Sequence, residues 1–357
     1  MNTYLPNTDN VKPLGRTCFV DNTLWLAFSG SGAAFTFRGT QAKIAMLADS
    51  TATTPGNENN HTRIAVYVNG SRVVDEMMDE PRKEFVILES EQMAECSVEI
   101  IKLSESAMST VGIESISVDS EDGIHPAAVK SHYIEFVGDS ITCGYGMDDE
   151  NAEHDFSTKT EDVTRAYGYR TAQALNADYS MVSLSGYGII SGYVNEGEPK
   201  NPEQTIPQYY EKLGFSYGNY LGRMPQEVKW TFERQPDLIV INLGTNDDSY
   251  ALDHEDRQED YRANYTEFLK LVRSKNPQAK ILCTLGIMGR RLFPFVEKAV
   301  AAYRTETGDQ NISCMEFEEQ LASDGYTANW HPTAVTHGKA AKKLISHIRG
   351  LMGWGES

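Results

Sequence analysis

The chain has 357 residues, with 32 lysines and arginines against 51 aspartates and glutamates, a formal net charge of −19. At roughly 100–200 residues per domain the length suggests about two domains with their own cores, and 40% hydrophobic with 23% charged residues excludes a disordered chain. The charge divides evenly, 9 basic against 18 acidic residues up to position 128 and 23 against 33 after it, so neither half offers the basic face that nucleic acid or an anionic membrane requires.

The start, Met1-Asn2-Thr3-Tyr4-Leu5-Pro6, carries no basic-then-apolar secretory pattern. No window reaches the ~18 consecutive apolar residues of a membrane span. Five cysteines, Cys18, Cys96, Cys143, Cys283 and Cys314, are odd in number and widely spaced, which fits reduced thiols better than a disulfide framework. A cytoplasmic location is the expectation. Homo-oligomerisation stays open.

The first third predicts β structure. Residues 63–74 alternate apolar and polar positions around Asn69-Gly70, a two-residue hairpin signal. Similar short runs recur at 34–38, 43–47, 84–88, 97–103 and 113–118, with no amphipathic helix between them. Many short strands at this spacing predict a β-sandwich of jelly-roll type. An acidic stretch punctuated by Gly123 and Pro126 marks the boundary, giving an N-terminal domain over 1–125 and a second over 126–357.

After the boundary the period changes. Strand-like runs at 133–137, 179–184, 238–243, 280–285 and 312–317 alternate with helical patterns. Over 260–273, Tyr261, Tyr265, Phe268, Leu269 and Val272 keep helical spacing until Asn276-Pro277 stops it. A last helix spans 333–349. The alternation predicts a parallel sheet covered on both faces, with ligands at the carboxyl ends of its strands.

Four segments stand at such ends. In Gly138-Asp139-Ser140-Ile141-Thr142-Cys143-Gly144, Ser140 sits where a helix should begin, either as its N-cap or as a nucleophile beside free backbone N–H groups. The Gly-x-Ser-x-Gly elbow of α/β-hydrolases is absent. Gly186 and Gly188 in Ser185-Gly186-Tyr187-Gly188 either open backbone amides to a ligand or make a flexible loop. Asn246, in Gly244-Thr245-Asn246-Asp247, is a possible oxyanion donor or a local turn residue. His331, between Trp330 and Pro332 just before the last helix, is positioned to aim an imidazole across the sheet edge.

Taken in this order, Ser140, Gly186, Asn246 and His331 resemble the four blocks of the GDSL/SGNH hydrolase superfamily over about residues 133–345. With the β-rich front third and the Trp330-His331-Pro332-Thr333 tail, the chain looks most like carbohydrate esterase family 2. The resemblance implies a flavodoxin-like three-layer α/β/α sheet preceded by a jelly roll, and removal of acetyl groups from plant polysaccharides such as xylan or glucomannan. It implies Ser140 as nucleophile, His331 as base, and the Ser140 and Gly186 N–H groups with the Asn246 amide as oxyanion hole. The superfamily usually places an aspartate three residues before the histidine, but here Ala328 stands there. A Ser-His dyad is therefore expected, with a main-chain carbonyl near Trp330, the Asn329 side chain or Asp324 orienting the imidazole.

An unperturbed histidine base predicts activity that falls as pH drops through about 6.5. Trp330, Tyr145 and Tyr187 offer flat faces suited to sugar stacking or simply to packing. Asp139 is expected as a structural hydrogen-bonder, His337 as a structural donor in the last helix, and His254-Glu255-Asp256 as a solvated helix start. No His-Glu-x-x-His or Cys-x-x-Cys spacing supports a metal, and no cofactor is expected. The competing readings are a lipase, thioesterase or sialate esterase of the same superfamily, and a non-catalytic carbohydrate-binding protein.

Overall fold

A computed structural model describes residues 1–217 and 223–355. The chain forms two compact units: residues 1–129 with 156–163 and 212–230, and residues 130–155 with 164–211 and 231–357.

In the first unit ten antiparallel strands share one hydrogen-bonded sheet. Its centre is a ribbon of two long strands, Gly32–Ala48 and Arg82–Lys102. The sequence suggests two short strands in each of these stretches, and the reason is visible in the side chains. Ala33, Phe35 and Phe37 point into the core before residue 39, and Ala42, Ile44 and Met46 after it. The inward parity flips where the register shifts between Gly39 and Gln41; a second shift, between Ala42 and Lys43, skips a residue of the partner strand and leaves the parity unchanged. A bulge leaves one residue unpaired and bends the strand without ending it, so one bent strand reads as two. Both halves contribute to a single apolar core with Ile64, Val66, Val98, Ile100 and Ile113, which folds the sheet over itself as a sandwich. Each such side chain removed from water contributes about 1.5–3 kcal/mol.

The expected hairpin joins Arg63–Val68 to Ser71–Met77, with Val68 opposite Ser71. Asn69 and Gly70 both take positive φ, 51° and 79°, as a type I′ turn demands. Arg16, fully buried, ties the later segment into this unit. Its guanidinium donates to the Lys212 carbonyl at 2.8 Å and lies over the Trp230 ring.

The second unit is built on five parallel strands: β1 (His132–Gly138), β2 (Ala177–Ser183), β3 (Leu238–Asn242), β4 (Lys280–Ile287) and β5 (Ile312–Glu319). Their order is β2-β1-β3-β4-β5, the flavodoxin-like arrangement. β2 and β3 are buried at every position, as strands covered on both faces must be. The helices are α1 (Ser140–Cys143), α2 (Tyr167–Ala174), α3 (Thr245–Ala251), α4 (Glu255–Lys275), α5 (Phe293–Thr307) and α6 (Ala334–Met352). α2 packs on α6 and α4 on α5, forming the two helical layers.

α4 buries Tyr261, Tyr265, Phe268, Leu269 and Val272 as their spacing predicts. Glu255 and Asp256 in its first turn and Arg273 and Lys275 in its last complement the helix dipole. Asn276 closes it. The chain leaves β1 toward β2 on one side and later returns to β3 on the other. The carboxyl end of β1 is thus a topological switch point, the crevice where open α/β sheets bind ligands. Among the described residues no helix is long and apolar enough to cross a membrane, and all five cysteines are free.

Candidate active site

The switch point carries the Gly138-Asp139-Ser140 turn. Asp139, not Ser140, is the N-cap of α1, its Oδ1 accepting the Ile141 N–H at 3.0 Å. Ser140 becomes the first helical residue, which frees its hydroxyl. That hydroxyl meets Nε2 of His331 at 2.9 Å, although 191 residues separate the two in sequence. α1 lasts four residues and closes on Gly144, where the Tyr145 N–H returns to the Ser140 carbonyl at 3.2 Å.

His331 is held from its other side. Nδ1 lies 3.1 Å from the Ala328 carbonyl and 3.0 Å from the Asn329 carbonyl. Carbonyls only accept, so Nδ1 carries the ring proton and Nε2 presents its lone pair to Ser140. Of the three orienting groups considered from sequence, the main-chain carbonyls occupy the place. The Asn329 side chain donates instead to the Tyr145 hydroxyl at 2.7 Å, and Asp324 pairs with Lys339 at 2.7 Å.

Gly186 follows β2 and takes φ 81°, with open space where a Cβ would sit. Neither its N–H nor that of Ser140 has an acceptor among the described residues. The Gly188 N–H is used within the loop, donating to the Gln204 carbonyl at 3.2 Å. Asn246, second residue of α3, donates Nδ2 to the Tyr187 carbonyl at 2.9 Å, with Asp139 Oδ2 at 3.5 Å. The three loops that follow β1, β2 and β3 are thereby joined by hydrogen bonds at the carboxyl edge of the sheet.

Burial dominates the electrostatics. It pulls His331 down to about 4, against the two carbonyls that favour the imidazolium. Titration near 6.5, expected for a solvated ring, is therefore displaced. Burial pushes Asp139 up to about 7, the Asp247 charge adding to it against the Ile141 N–H. Burial also pushes Asp247 up to about 6, opposed by the N–H groups it accepts.

The three aromatic residues separate. Trp330 is 51% exposed. Tyr187 is buried, and Tyr145 stacks on the His331 imidazole with centroids 3.8 Å apart, so neither presents an open face to a sugar. Tyr193, which the sequence reading passed over, is 59% exposed and donates its N–H to the Gly186 carbonyl. Nothing in its immediate sequence distinguishes it from a loop tyrosine. His337 accepts rather than donates: Nδ1 takes the Tyr167 N–H at 3.1 Å. His254 caps α4 as expected of a helix start.

A flavodoxin-like sheet with a serine after β1, a glycine after β2, an asparagine after β3 and a histidine after β5 defines an SGNH-type acyl-transfer scaffold. The chain belongs to the GDSL-like lipase/acylhydrolase family, whose model matches residues 136–339, and residues 14–127 match the carbohydrate esterase 2 N-terminal model. Within that family, the N-terminal match makes carbohydrate esterase family 2 the group the chain most resembles.

Among its relatives is the cellulase/esterase CelE of Acetivibrio thermocellus, 29% identical over 98% of this chain but only 40% of that protein. The chain therefore spans less than half the length of that relative. An acetylxylan esterase / glucomannan deacetylase of Cellvibrio japonicus is 29% identical over 80% of this chain and 78% of its own. In fold, the chain resembles an acetyl xylan esterase from the rumen bacterium Butyrivibrio proteoclasticus, with TM-score 0.88, 24% identity and 99% of both chains covered.

Proposed function

We propose that the protein is a serine esterase that removes O-acetyl groups from acetylated plant polysaccharides or their oligosaccharides, xylan and glucomannan among them. The observation that carries this reading is the 2.9 Å contact between Ser140 Oγ and His331 Nε2, with Nδ1 turned to two carbonyls. His331 takes the Ser140 proton as Oγ attacks the ester carbonyl, and returns it to the departing sugar oxygen. Water, deprotonated by the same imidazole, then releases acetate. The N–H groups of Ser140 and Gly186 hold the oxyanion of each tetrahedral intermediate, and the Asn246 amide joins them with the hydrogen that otherwise makes only the 3.5 Å contact to Asp139. Such donors supply much of the acceleration, which is why a dyad without a carboxylate can still turn over.

Support for the substrate class comes from the relatives described above and from two exposed aromatic rings, Trp330 and Tyr193, on loops that carry site residues. A family 2 carbohydrate esterase from Clostridium thermocellum, 25% identical with TM-score 0.80, was solved with cellohexaose. The acidic balance favours a neutral sugar over an anionic ester.

Acetate release from acetylated xylo- and mannooligosaccharides, by wild type and Ser140→Ala, tests the reading. The variant is expected to be inactive, and retained activity overturns the assignment of Ser140. An ester series from acetate to octanoate should fall steeply, and a flat or rising series would point to a lipase or thioesterase. Oligosaccharide binding without cleavage of 4-nitrophenyl acetate would favour a binding protein.

A further inference from the structure

We propose that Tyr145 and Asn329 act as one positioning unit that holds His331 where the superfamily otherwise uses a carboxylate. The inference rests on the Ser140–His331 reading above. For two successive carbonyls to converge on Nδ1, the chain must turn sharply at residues 329 and 330. Asn329 takes φ 49° and ψ 41°, and Trp330 follows at φ 61°. Two consecutive non-glycine residues in the left-handed region are strained, and they persist only where their surroundings over-determine them.

Those surroundings are specific. The Ala328 N–H donates to the Asp149 carbonyl at 3.2 Å, and the Asn329 N–H to the His154 carbonyl at 3.1 Å. Gln320 Nε2 donates to the Trp330 carbonyl at 2.9 Å. The remaining tie is the only one of the four made between two side chains: Asn329 Nδ2 to Tyr145 Oη, 2.7 Å.

Tyr145 is the piece that joins both halves of the dyad. Its ring stacks on the imidazole within 17° of parallel. Its backbone N–H is bonded to the Ser140 carbonyl, so it rides on the nucleophile's own turn. Gly146, at φ 63°, brings that turn so close to the 327–328 segment that a Cβ would meet Ala328 at 3.1 Å. One residue thus bears on the face of the imidazole, on the residue whose carbonyl holds Nδ1, and on the turn that presents Oγ. An aspartate would fix the ring through charge. Here a stacked phenol and an amide fix it through shape and one hydrogen bond.

The test uses Tyr145→Phe, which keeps the stack and removes the hydroxyl, and Asn329→Gly, which removes the amide while accepting positive φ readily. With 4-nitrophenyl acetate each is expected to lower kcat about ten- to a hundredfold, the range small misplacements of a reacting group produce, with KM little changed. Residues acting as one unit are non-additive, so the double variant should be no slower than the worse single one. The Nδ1–H proton resonance of His331, sharp in wild type, should broaden in each variant with folding unaltered. Wild-type kcat in Asn329→Gly, multiplicative losses in the double variant, or an unchanged resonance overturns the proposal. Asn329→Gly carries the test alone if Tyr145→Phe lowers the melting temperature. Ser140→Ala separates the two levels: activity in that variant sinks the dyad itself, whereas its inactivity beside fully active Tyr145 and Asn329 variants sinks only the positioning unit.

Discussion

The Asp247 carboxylate grips the backbone of Ile190, accepting its N–H at 2.7 Å, and takes those of Ile189 at 2.9 Å and Ser191 at 3.1 Å as well. One buried side chain therefore clamps the loop that begins at Gly186 to the helix that begins beside Asn246. Two candidate oxyanion donors, in segments that follow different strands, are held in register by the side chain of a residue that is the chain neighbour of one of them.

Asp247→Asn should loosen this clamp. An amide oxygen at the Oδ1 position still reaches all three N–H groups, but its NH2 is set against the Ile189 N–H that Oδ2 also accepts in the wild type. Losing one acceptor contact and opposing two donors in a buried site costs on the order of 1 kcal/mol, so urea unfolding should show a loss of about that size. Activity should fall with it, through kcat more than KM, because the displaced donors act on the transition state. A variant with wild-type kcat and stability would show that the 189–191 segment is fixed by other means.

The pH–activity profile should differ from that of a solvated histidine base. The base must be neutral to accept the Ser140 proton, and burial lowers His331 to about 4. Activity is therefore expected to stay level from about pH 5 to 8 and to fall on acidification with a midpoint near 4. The groups against the ring are the uncharged Tyr145 phenol, Ser140 and the carbonyls of Ala328 and Asn329. Asp139, raised to about 7, titrates one residue away in the chain from Ser140. A midpoint near 6.5 that persists in Asp139→Asn, where this carboxylate is gone, would contradict the buried neutral imidazole.

Asp139 also sets a stability slope of its own. Its folded pKa lies near 7 and above the ordinary carboxylate value, so the folded state binds the proton more tightly than the unfolded chain. That contribution is fully present below about pH 4 and is lost as pH rises through about 7. Asp139→Asn keeps an equally good N-cap and removes the titration. At pH 8 the variant is expected to gain up to about 4 kcal/mol, since each pKa unit corresponds to about 1.4 kcal/mol, and to lose the slope between pH 4 and 7. Equal melting temperatures at pH 8 would mean that Asp139 is ionised at no cost in the interior.

How much of this the sequence disclosed follows from what kind of atom does each job. Strands β1 to β5 and helix α4 were legible because burial on both faces, or on one stripe, leaves a periodic trace in side-chain type. Ser140, Gly186, Asn246 and His331 stand out in the sequence because the roles proposed for them call for those residue types. The group that orients His331 was not. Main-chain carbonyls carry no side-chain signature, and the absent aspartate at Ala328 told only where not to look. Tyr145 stays undecided in the sequence for a related reason: an aromatic beside a catalytic turn reads the same whether its face meets a sugar or an imidazole. The bent strand Gly32–Ala48 was divided because a bulge reverses inward parity as a strand break does.

Restoring the superfamily's carboxylate is the last test of this reading, and it should fail to help. Ala328 is fully buried, and the turn at Gly146 lies against it. The Nδ1 proton it would serve already faces two carbonyls. In Ala328→Asp the added carboxyl enters a packed space with its intended donor engaged, and a buried charge without a partner is costly. Expected are a melting temperature lower by several degrees, a kcat no higher than wild type, and an acid limb that does not move. A carboxylate that did reach Nδ1 would stabilise the imidazolium and raise the histidine pKa, carrying the acid midpoint up from about 4. That upward move, with kcat raised and stability kept, would show that the carbonyl pair leaves room for a third catalytic group. Its absence would mark the dyad as a closed arrangement, in which the strained turn at Asn329 and Trp330 has taken the aspartate's place.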